Sequence, residues 1–332
     1  MLKSIYIDGY KGLRGVNLAF APGLSTYGGG IGSGKSALCQ LLARLRFIAR
    51  GSSVVSQLFP VDLISASNGQ DVPFVSLTYS DATNLFQYKL TLGFARAVNG
   101  YLVAAETLTA NGTVVFMRDG GQVQLRQTSY ALDRNVLAMP TIASLPGDAL
   151  SLAKAALAGI FVLHPLPPLM GDAINTSVGV MNNIYGIEFT SWLNWYMMSY
   201  PADYETLVQK YRSFDGRLVG FNLGSNSSPN RLNVLLQSGA NGNASERRFA
   251  QFSDAQKWVF FFAAMSMAAE RFQQMTIVID DPLTGMPREA KRRVLAIIKS
   301  TFDLKGQCIL LTDDDDIKEL TGAQYRPQMN LT

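Results

Sequence analysis

The sequence predicts an α/β fold that combines a parallel sheet with an antiparallel β part, and three observations lead to this prediction. A glycine-rich loop joins an apolar strand-like segment, residues 23–27, to an apolar helical pattern that begins at residue 37. Residues 72–125 alternate apolar and polar side chains between turn residues, as antiparallel strands do. Residues 254–312 read helix, strand, helix, strand with fully apolar strands, which is typical of a buried parallel sheet.

The glycine-rich loop, residues 29–36, has the pattern G-x-x-x-x-G-K-[ST] at its strand-to-helix junction. Glycines let backbone N–H groups approach a phosphate chain closely, and the N-terminus of the next helix attracts anions. Lys35 would reach the β- and γ-phosphates, and the Ser36 hydroxyl would bind Mg²⁺. The alternative is a glycine-rich turn without a ligand. The residues expected to hold ATP are Gly29, Gly30, Ile31, Gly32, Ser33, Gly34, Lys35, Ser36 and Ala37.

Composition limits the class of protein. Of the 332 residues, 48% are hydrophobic and 16% are charged, so the chain can bury a large core and is not disordered. A net charge of +4 permits a nucleic-acid partner without requiring one. Cys39 and Cys308 stand in apolar segments, as buried thiols of a reducing compartment do. The longest apolar run, residues 258–269, is shorter than the ~20 residues that span a bilayer, so we expect a cytoplasmic protein without membrane contact.

The order of elements follows from periodicity and turn residues. Early strands are expected at residues 5–7, 16–20 and 23–27, before a helix that ends near residue 50. The antiparallel strands are expected around residues 75–79, 86–90, 102–104, 114–116 and 123–125. The middle predicts a helix over 148–163 that leads into a Pro-rich bend, two helices over 188–214 broken at Pro201, and a mobile loop region over 222–246. The last quarter predicts a helix at 254–274, a strand at 275–279, a helix at 287–302 and a strand at 308–312.

The apolar strand at residues 275–279 runs directly into Asp280 and Asp281. A phosphate-binding loop needs a carboxylate that holds Mg²⁺ and a group that positions or activates water. Asp280 would bind the metal, directly or through water, and Asp281 would be the base that faces the attacking water. Alternatively, the two acids only cap a strand-to-loop turn.

A second motif leads to a family resemblance. Residues 252–256 fit the pattern [LF]-S-x-x-[QE] at a helix start. The order of phosphate loop, this pattern and an apolar strand ending in Asp-Asp-Pro resembles an ABC-type ATPase head. The opening, residues 7–13 and 21–24, is similar to the SMC/RecF-like branch, and the middle of the chain is similar to compact AAA-type ABC ATPases related to DNA-repair and phage-defence proteins.

The resemblance implies a P-loop NTPase of the ABC head type, with a mixed sheet, an antiparallel β subdomain and an inserted helical lobe. A single head would occupy residues 1–332. Within it, residues 1–134 would form the P-loop and antiparallel β part, residues 135–250 the helical lobe and flexible loop region, and residues 251–332 the signature helix, Walker B strand and C-terminal α/β part.

The resemblance also implies a partner, because two heads of this family sandwich two ATP molecules. The chain would pair with a second copy or with a related head. Ser253, Asp254 and Gln256 of one head would then contact the ATP bound by Lys35 of the other, since a helix N-terminus favours an anion. Taken alone, Ser253 is a helix cap.

Several residues depart from the family pattern. Ala255 replaces a glycine, Asp281 replaces a glutamate, Asp313 replaces a histidine, and the loop that ends at Pro287 lacks the usual aspartate. The only histidine, His164, lies in the Pro-rich bend and is expected to be structural. The candidates for the water-binding glutamine are Gln57 and Gln70. The acidic run at residues 313–316, Asp313 included, is expected to cap the helix that follows.

These features predict an ATPase with slow hydrolysis that gates a DNA transaction or a partner effector, of the DNA-repair or anti-phage defence type. The alternatives are a scaffold that binds ATP without hydrolysing it and the energy subunit of a transporter. The basic groups at residues 247–248 and 291–293 would be either DNA contacts or solvated helix faces.

Overall fold

The computed structural model describes residues 1–30, 32–61, 72–177, 181, 183–225, 228–238, 243–272 and 275–322. Eight strands form an antiparallel sheet with the order β2-β1-β4-β5-β6-β7-β8-β9. From Phe86 to Leu92, every second residue of β5 is buried, as the alternating pattern predicts. The strands are β1 (Leu2–Asp8), β2 (Val16–Ala19), β4 (Phe74–Ser80), β5 (Leu85–Ala95), β6 (Gly100–Ala110), β7 (Thr113–Asp119), β8 (Gln122–Leu125) and β9 (Thr128–Ala131).

A second sheet is fully parallel and has the order β10-β14-β15-β3. Its strands are β3 (Gly23–Gly28), β10 (Ile160–Leu163), β14 (Thr276–Asp280) and β15 (Gln307–Thr312). Every residue of β14 and β15 is buried, which explains their continuous apolar sequences. The carboxyl ends of parallel strands meet at one edge of a sheet, and such an edge is where ligands bind in α/β folds.

The helices cover the sheets and complete two hydrophobic cores. They are α1 (Lys35–Ala49), α2 (Val55–Leu58), α3 (Ala138–Thr141), α4 (Ala149–Ala158), α5 (Phe189–Ser199), α6 (Tyr204–Arg212), α7 (Asp254–Arg271), α8 (Arg288–Lys305) and α9 (Asp315–Thr321). The break between α5 and α6 at Pro201 is confirmed. Trp192 and Tyr196 of α5 are buried in the second core.

Two expectations for the middle of the chain were wrong. The helix expected over 148–163 stops at Ala158, and β10 begins immediately after Gly159 as an edge strand of the parallel sheet. A short apolar run of this kind fits a buried helix and a buried strand equally well, so periodicity does not separate them.

In the region expected as mobile loops, residues 222–246, the described residues belong to a three-stranded antiparallel sheet. Its strands are β11 (Leu218–Ser225), β12 (Ser228–Ser238) and β13 (Asn243–Arg248). Leu232, Val234 and Leu236 of β12 are buried in the second core, which holds the Gly-, Ser- and Asn-rich segment in place. Residues 135–250 therefore combine helices with strands.

Both cysteines, Cys39 and Cys308, are buried free thiols, as expected. Burial raises the pKa of both thiols, which suits inert core residues. Within the described residues, no helix has the length and apolar character that crossing a membrane requires.

Candidate nucleotide-binding site

The phosphate loop connects β3 to α1 at the carboxyl edge of the parallel sheet. Gly32 and Gly34 have φ values of 80° and 83°, a left-handed conformation that favours glycine. A Cβ on Gly29 would lie 2.3 Å from Ser33 Oγ, so this position also requires glycine. Of the residues expected to bind ATP, Ile31 lies outside the described residues.

Lys35 begins α1, and its side chain folds back over the loop. Lys35 Nζ donates hydrogen bonds to the carbonyl oxygens of Gly29 (2.8 Å) and Gly30 (3.1 Å). A phosphate is a stronger acceptor for an ammonium than a neutral carbonyl is, so these bonds can be exchanged for contacts with an anion. Ser36 is exposed in the first turn of α1 and Ala37 is half-buried.

Asp280 and Asp281 stand at the end of β14, two strands away from β3. Asp280 is the last residue of the strand and is 2% exposed. Asp281 has a φ of 47°, a left-handed conformation that aspartate tolerates better than most residues, and its N–H donates to the Leu311 carbonyl at 2.9 Å. This bend turns the chain away from the sheet directly after the two carboxylates.

One oxygen of each carboxylate has no hydrogen-bond partner within the described residues. Asp280 Oδ1 and Asp281 Oδ1 are both buried and unpaired. A buried acceptor without a partner is costly, and carboxylate oxygens are preferred ligands of divalent cations. The donor set therefore fits a metal ion, as expected for Asp280, with the Ser36 hydroxyl available at the start of α1.

His164 follows β10, the strand beside β14, and is the residue that sequence reasoning missed. His164 Nδ1 lies 3.2 Å from Asp280 Oδ2. The Asp280 carboxylate raises the pKa of His164 in spite of partial burial. Ligand atoms of His164, Asp280 and Asp281 all lie within 4.8 Å of one another. The sequence analysis did not recognise β10, so it did not bring His164 next to Asp280.

The electrostatic environment of Asp281 is unusual for a carboxylate. Burial and the neighbouring Asp280 and Asp313 carboxylates raise its pKa, while Lys35 and His164 oppose that shift. A carboxylate whose pKa lies closer to the working pH accepts a proton more readily. Charged groups that follow all four parallel strands therefore act on Asp281.

The acidic run separates into residues with different roles. Asp314, and not Asp313, is the N-cap of α9, because its Oδ1 accepts from Ile317 N at 3.1 Å. Asp314 and Asp316 also contact Lys291 at 2.5 and 3.2 Å. Asp313 is exposed at the end of β15, and within the described residues its side chain makes no hydrogen bond or ion pair. The expectation that Asp313 is a cap was therefore wrong.

The proposed trans residues lie at the start of α7. Ser253 Oγ accepts from Gln256 N (3.3 Å), and Gln256 Oε1 accepts from Ser253 N (3.1 Å), so the two form a capping box. Ser253 and Asp254 are exposed and Ala255 is half-buried. In the described part of the chain, no hydrogen bond or ion pair joins these residues to the phosphate loop. Lys257, one turn further, is buried and donates to the Pro167 carbonyl at 2.9 Å.

Of the two glutamine candidates, the structure describes only Gln57. Gln57 is exposed on α2, which packs against β6 of the antiparallel sheet. Gln70 lies outside the described residues.

Solved structures share this architecture. The structure of an SMC head bound to the C-winged helix domain of ScpA superposes with a TM-score of 0.59 at 13% identity, covering 96% of this chain and 91% of that one. The chain has the fold of an SMC head domain. The SMC head of Thermotoga maritima (TM-score 0.50, 15% identity) and the Pyrococcus furiosus head bound to the C-terminal domain of ScpA (0.56, 11%) cover the same shares of both chains. No protein-family model and no curated protein matches the sequence.

The SMC-head fold confirms the expected fold class, an ABC-type P-loop ATPase architecture with a parallel and an antiparallel sheet. At identities of 11–15% the likeness concerns the fold.

Proposed function

We propose that this protein is an ATP-binding head that closes in pairs around MgATP and hydrolyses it slowly. The cycle would control an effector partner or a DNA transaction, in DNA repair or anti-phage defence. One observation carries this proposal: the parallel sheet places the phosphate loop, Asp313, the Asp280–Asp281 pair and His164 on four neighbouring strand ends.

Each of these groups has a chemical role in the proposal. The backbone N–H groups of residues 29–37 and the Lys35 ammonium bind the phosphates. Ser36 and Asp280 hold Mg²⁺, which supplies positive charge that stabilises the transferring phosphoryl group. Asp281 accepts the proton of the attacking water, and its raised pKa favours that step.

In the proposal, the start of α7 forms the contact with the second head. The exposed start of this helix, with Ser253, Asp254 and Gln256, would face the nucleotide of the partner head, where its N–H groups favour an anion. Slow turnover is expected for two reasons. Asp281 is one methylene shorter than glutamate, and the Asp313 carboxylate repels a nearby phosphate.

Equilibrium binding of a fluorescent ATP analogue to Lys35→Ala tests the nucleotide site. Loss of charge-assisted bonds worth about 1.5–3 kcal/mol should weaken binding by roughly 10- to 100-fold. Lys299→Ala, an exposed position on α8, is the matched control and should bind as the wild type does. Wild-type affinity in a folded Lys35→Ala variant would contradict the proposal.

A non-hydrolysing scaffold is the second candidate, favoured by the left-handed backbone at Asp281 and the acidic Asp313 beside it. Phosphate release and ATP-driven dimerisation of the wild type and Asp281→Asn separate the two. Turnover that the variant abolishes supports the ATPase. Dimerisation without turnover in either protein supports the scaffold.

The basic group at residues 291–293 does not add support for DNA as the partner. Lys291 contacts Asp314 and Asp316, and both Arg292 and Arg293 contact Glu289. Carboxylates already neutralise these cations, as on an ordinary helix face. A protein effector is therefore the partner we favour, and two of the structurally similar heads are described as bound to a domain of ScpA.

A further inference from the structure

We propose that, in the nucleotide-free protein, His164, Asp280 and Asp281 form a metal site that selects a first-row transition-metal ion such as Zn²⁺ over Mg²⁺. The proposal rests on the proposed function, because the two carboxylates are shared with the nucleotide site. It adds a nitrogen ligand and thereby changes the class of cation that the site prefers.

The position of His164 is fixed by its surroundings. Its backbone N–H donates to the Ile184 carbonyl at 2.6 Å, and its ring packs edge-on against Tyr185 with centroids 6.1 Å apart. The ring is therefore held beside Asp280 before any ion binds. A preorganised ligand loses little conformational freedom when it binds a metal.

Three observations point to a cation at this place. The ligand atoms all lie within 4.8 Å of one another, and two ligands of a tetrahedral Zn²⁺ stand about 3.3 Å apart, so a contraction of at most roughly 1.5 Å closes the site. Asp280 is 2% exposed, and its Oδ1 has no partner among the described residues. His164 Nδ1 is also buried, and it lies 3.2 Å from Asp280 Oδ2.

The donor types determine the selectivity. Mg²⁺ prefers oxygen ligands and retains its water, whereas imidazole nitrogen suits ions such as Zn²⁺. Two carboxylates and one imidazole complete a mixed N/O set with room for further ligands. Asp313 is not one of the three proposed ligands. Its carboxylate affects Asp281 only electrostatically.

The chain simplifies the test because His164 is its only histidine and both cysteines are buried. Zn²⁺ alone and Mg²⁺ alone are titrated calorimetrically into the tag-free protein without nucleotide. His164→Gln should weaken Zn²⁺ binding by about tenfold or more and Mg²⁺ binding much less. Asp313→Asn, the electrostatic control, should weaken both ions by a similar factor and leave their ratio unchanged.

A second readout needs no variant. In protein labelled with ¹⁵N-histidine, saturating Zn²⁺ should shift the ring nitrogens of the single imidazole, and saturating Mg²⁺ should not. Unchanged Zn²⁺ affinity in His164→Gln, or an unmoved imidazole signal, overturns the proposal. Binding of the fluorescent ATP analogue to the same wild-type sample tests the proposed function separately. Zn²⁺ uptake without nucleotide binding would contradict only the ATPase, and the reverse result would contradict only this metal site.

Discussion

At position 29 the phosphate loop has room for the hydrogen atom of glycine but not for the methyl group of alanine. A Cβ there would approach Ser33 Oγ to 2.3 Å and Ser33 Cβ to 2.7 Å, well inside normal contact. The loop would have to shift, and with it the carbonyls that now hold Lys35.

We therefore expect Gly29→Ala to weaken binding of an ATP analogue by at least about tenfold, through displacement of the N–H groups that bind phosphate. Ser33→Gly removes both clashing atoms, so the double variant should recover part of the lost affinity. Equilibrium binding of the three proteins decides the matter. Equal affinities for single and double variants would show that the clash is not the cause.

Asp313 and Asp314 are adjacent carboxylates with different environments, and their variants should separate accordingly. Asp314→Ala removes the N-cap of α9 and the Lys291 contact, so the free energy of unfolding should fall by about 1–2 kcal/mol. Asp313→Asn should leave stability within about 0.5 kcal/mol of the wild type. Its affinity for metal-free ATP should rise, because one repulsive charge is lost.

Urea unfolding and ATP binding in the presence of a chelator measure both effects. A free energy of unfolding that is lower by about 1 kcal/mol in Asp313→Ala would return Asp313 to a capping role, because asparagine itself caps helices as well as aspartate does.

Individual residues were predictable where a motif fixed both their type and their position. The phosphate-loop glycines, the Ser253 capping box and the strand that ends in Asp280 all follow from local patterns. His164 was missed because its role comes from the strand that stands beside β10, and strand order is a property of the whole chain.

At the scale of elements, the junction between α5 and α6 is tied to the end of α7 through one carboxylate. Asp203 Oδ2 accepts from Tyr196 Oη and from Arg271 Nε, both at 2.6 Å. The Arg271 guanidinium also lies over the Tyr200 ring, 4.6 Å from its centroid. The hydrogen bonds from Arg271 lower the pKa of Asp203 below its ordinary value of 3.8.

A lowered pKa in the folded state has a defined consequence for pH dependence. The stabilisation from Asp203 is fully present above the unfolded pKa and is lost as the pH falls through the lower, folded pKa. Asp203→Asn should therefore unfold at a lower urea concentration than the wild type at pH 7, and the difference should vanish in acid. The exposed Glu205→Gln on α6 is the control and should show no such convergence. A constant difference from pH 7 to pH 3 would contradict the assignment.

Long periodic elements were predictable, and short strands were not. The antiparallel strands and α7 follow from clear periods of hydrophobicity. By contrast, β11–β13 are rich in Gly, Ser and Asn, which are typical of loops. They form a sheet because Leu232 and Val234 pack into a core formed by helices that are distant in sequence.

At the scale of the whole molecule, the exposed start of α7 is the surface that dimerisation would use. Ser253→Arg should leave ATP binding by the monomer intact, since Ser253 makes no hydrogen bond or ion pair to the phosphate loop in the described part of the chain. The large side chain should prevent ATP-driven pairing. Light scattering with and without MgATP measures this, and Asp254→Asn, which adds no bulk, is the comparison variant. Pairing of Ser253→Arg on ATP would leave Ser253 with a capping role alone.

The buried bond from Lys257 to the Pro167 carbonyl joins the first turn of α7 to the segment that begins with His164. This hydrogen bond therefore links the proposed metal site to the proposed contact surface for the second head. Thermodynamic linkage requires that any coupling between them is reciprocal. If pairing of heads raises the affinity for the ion by some factor, the ion raises the affinity of one head for the other by that same factor. A cell that changes the supply of one metal would then also change how long two heads stay together.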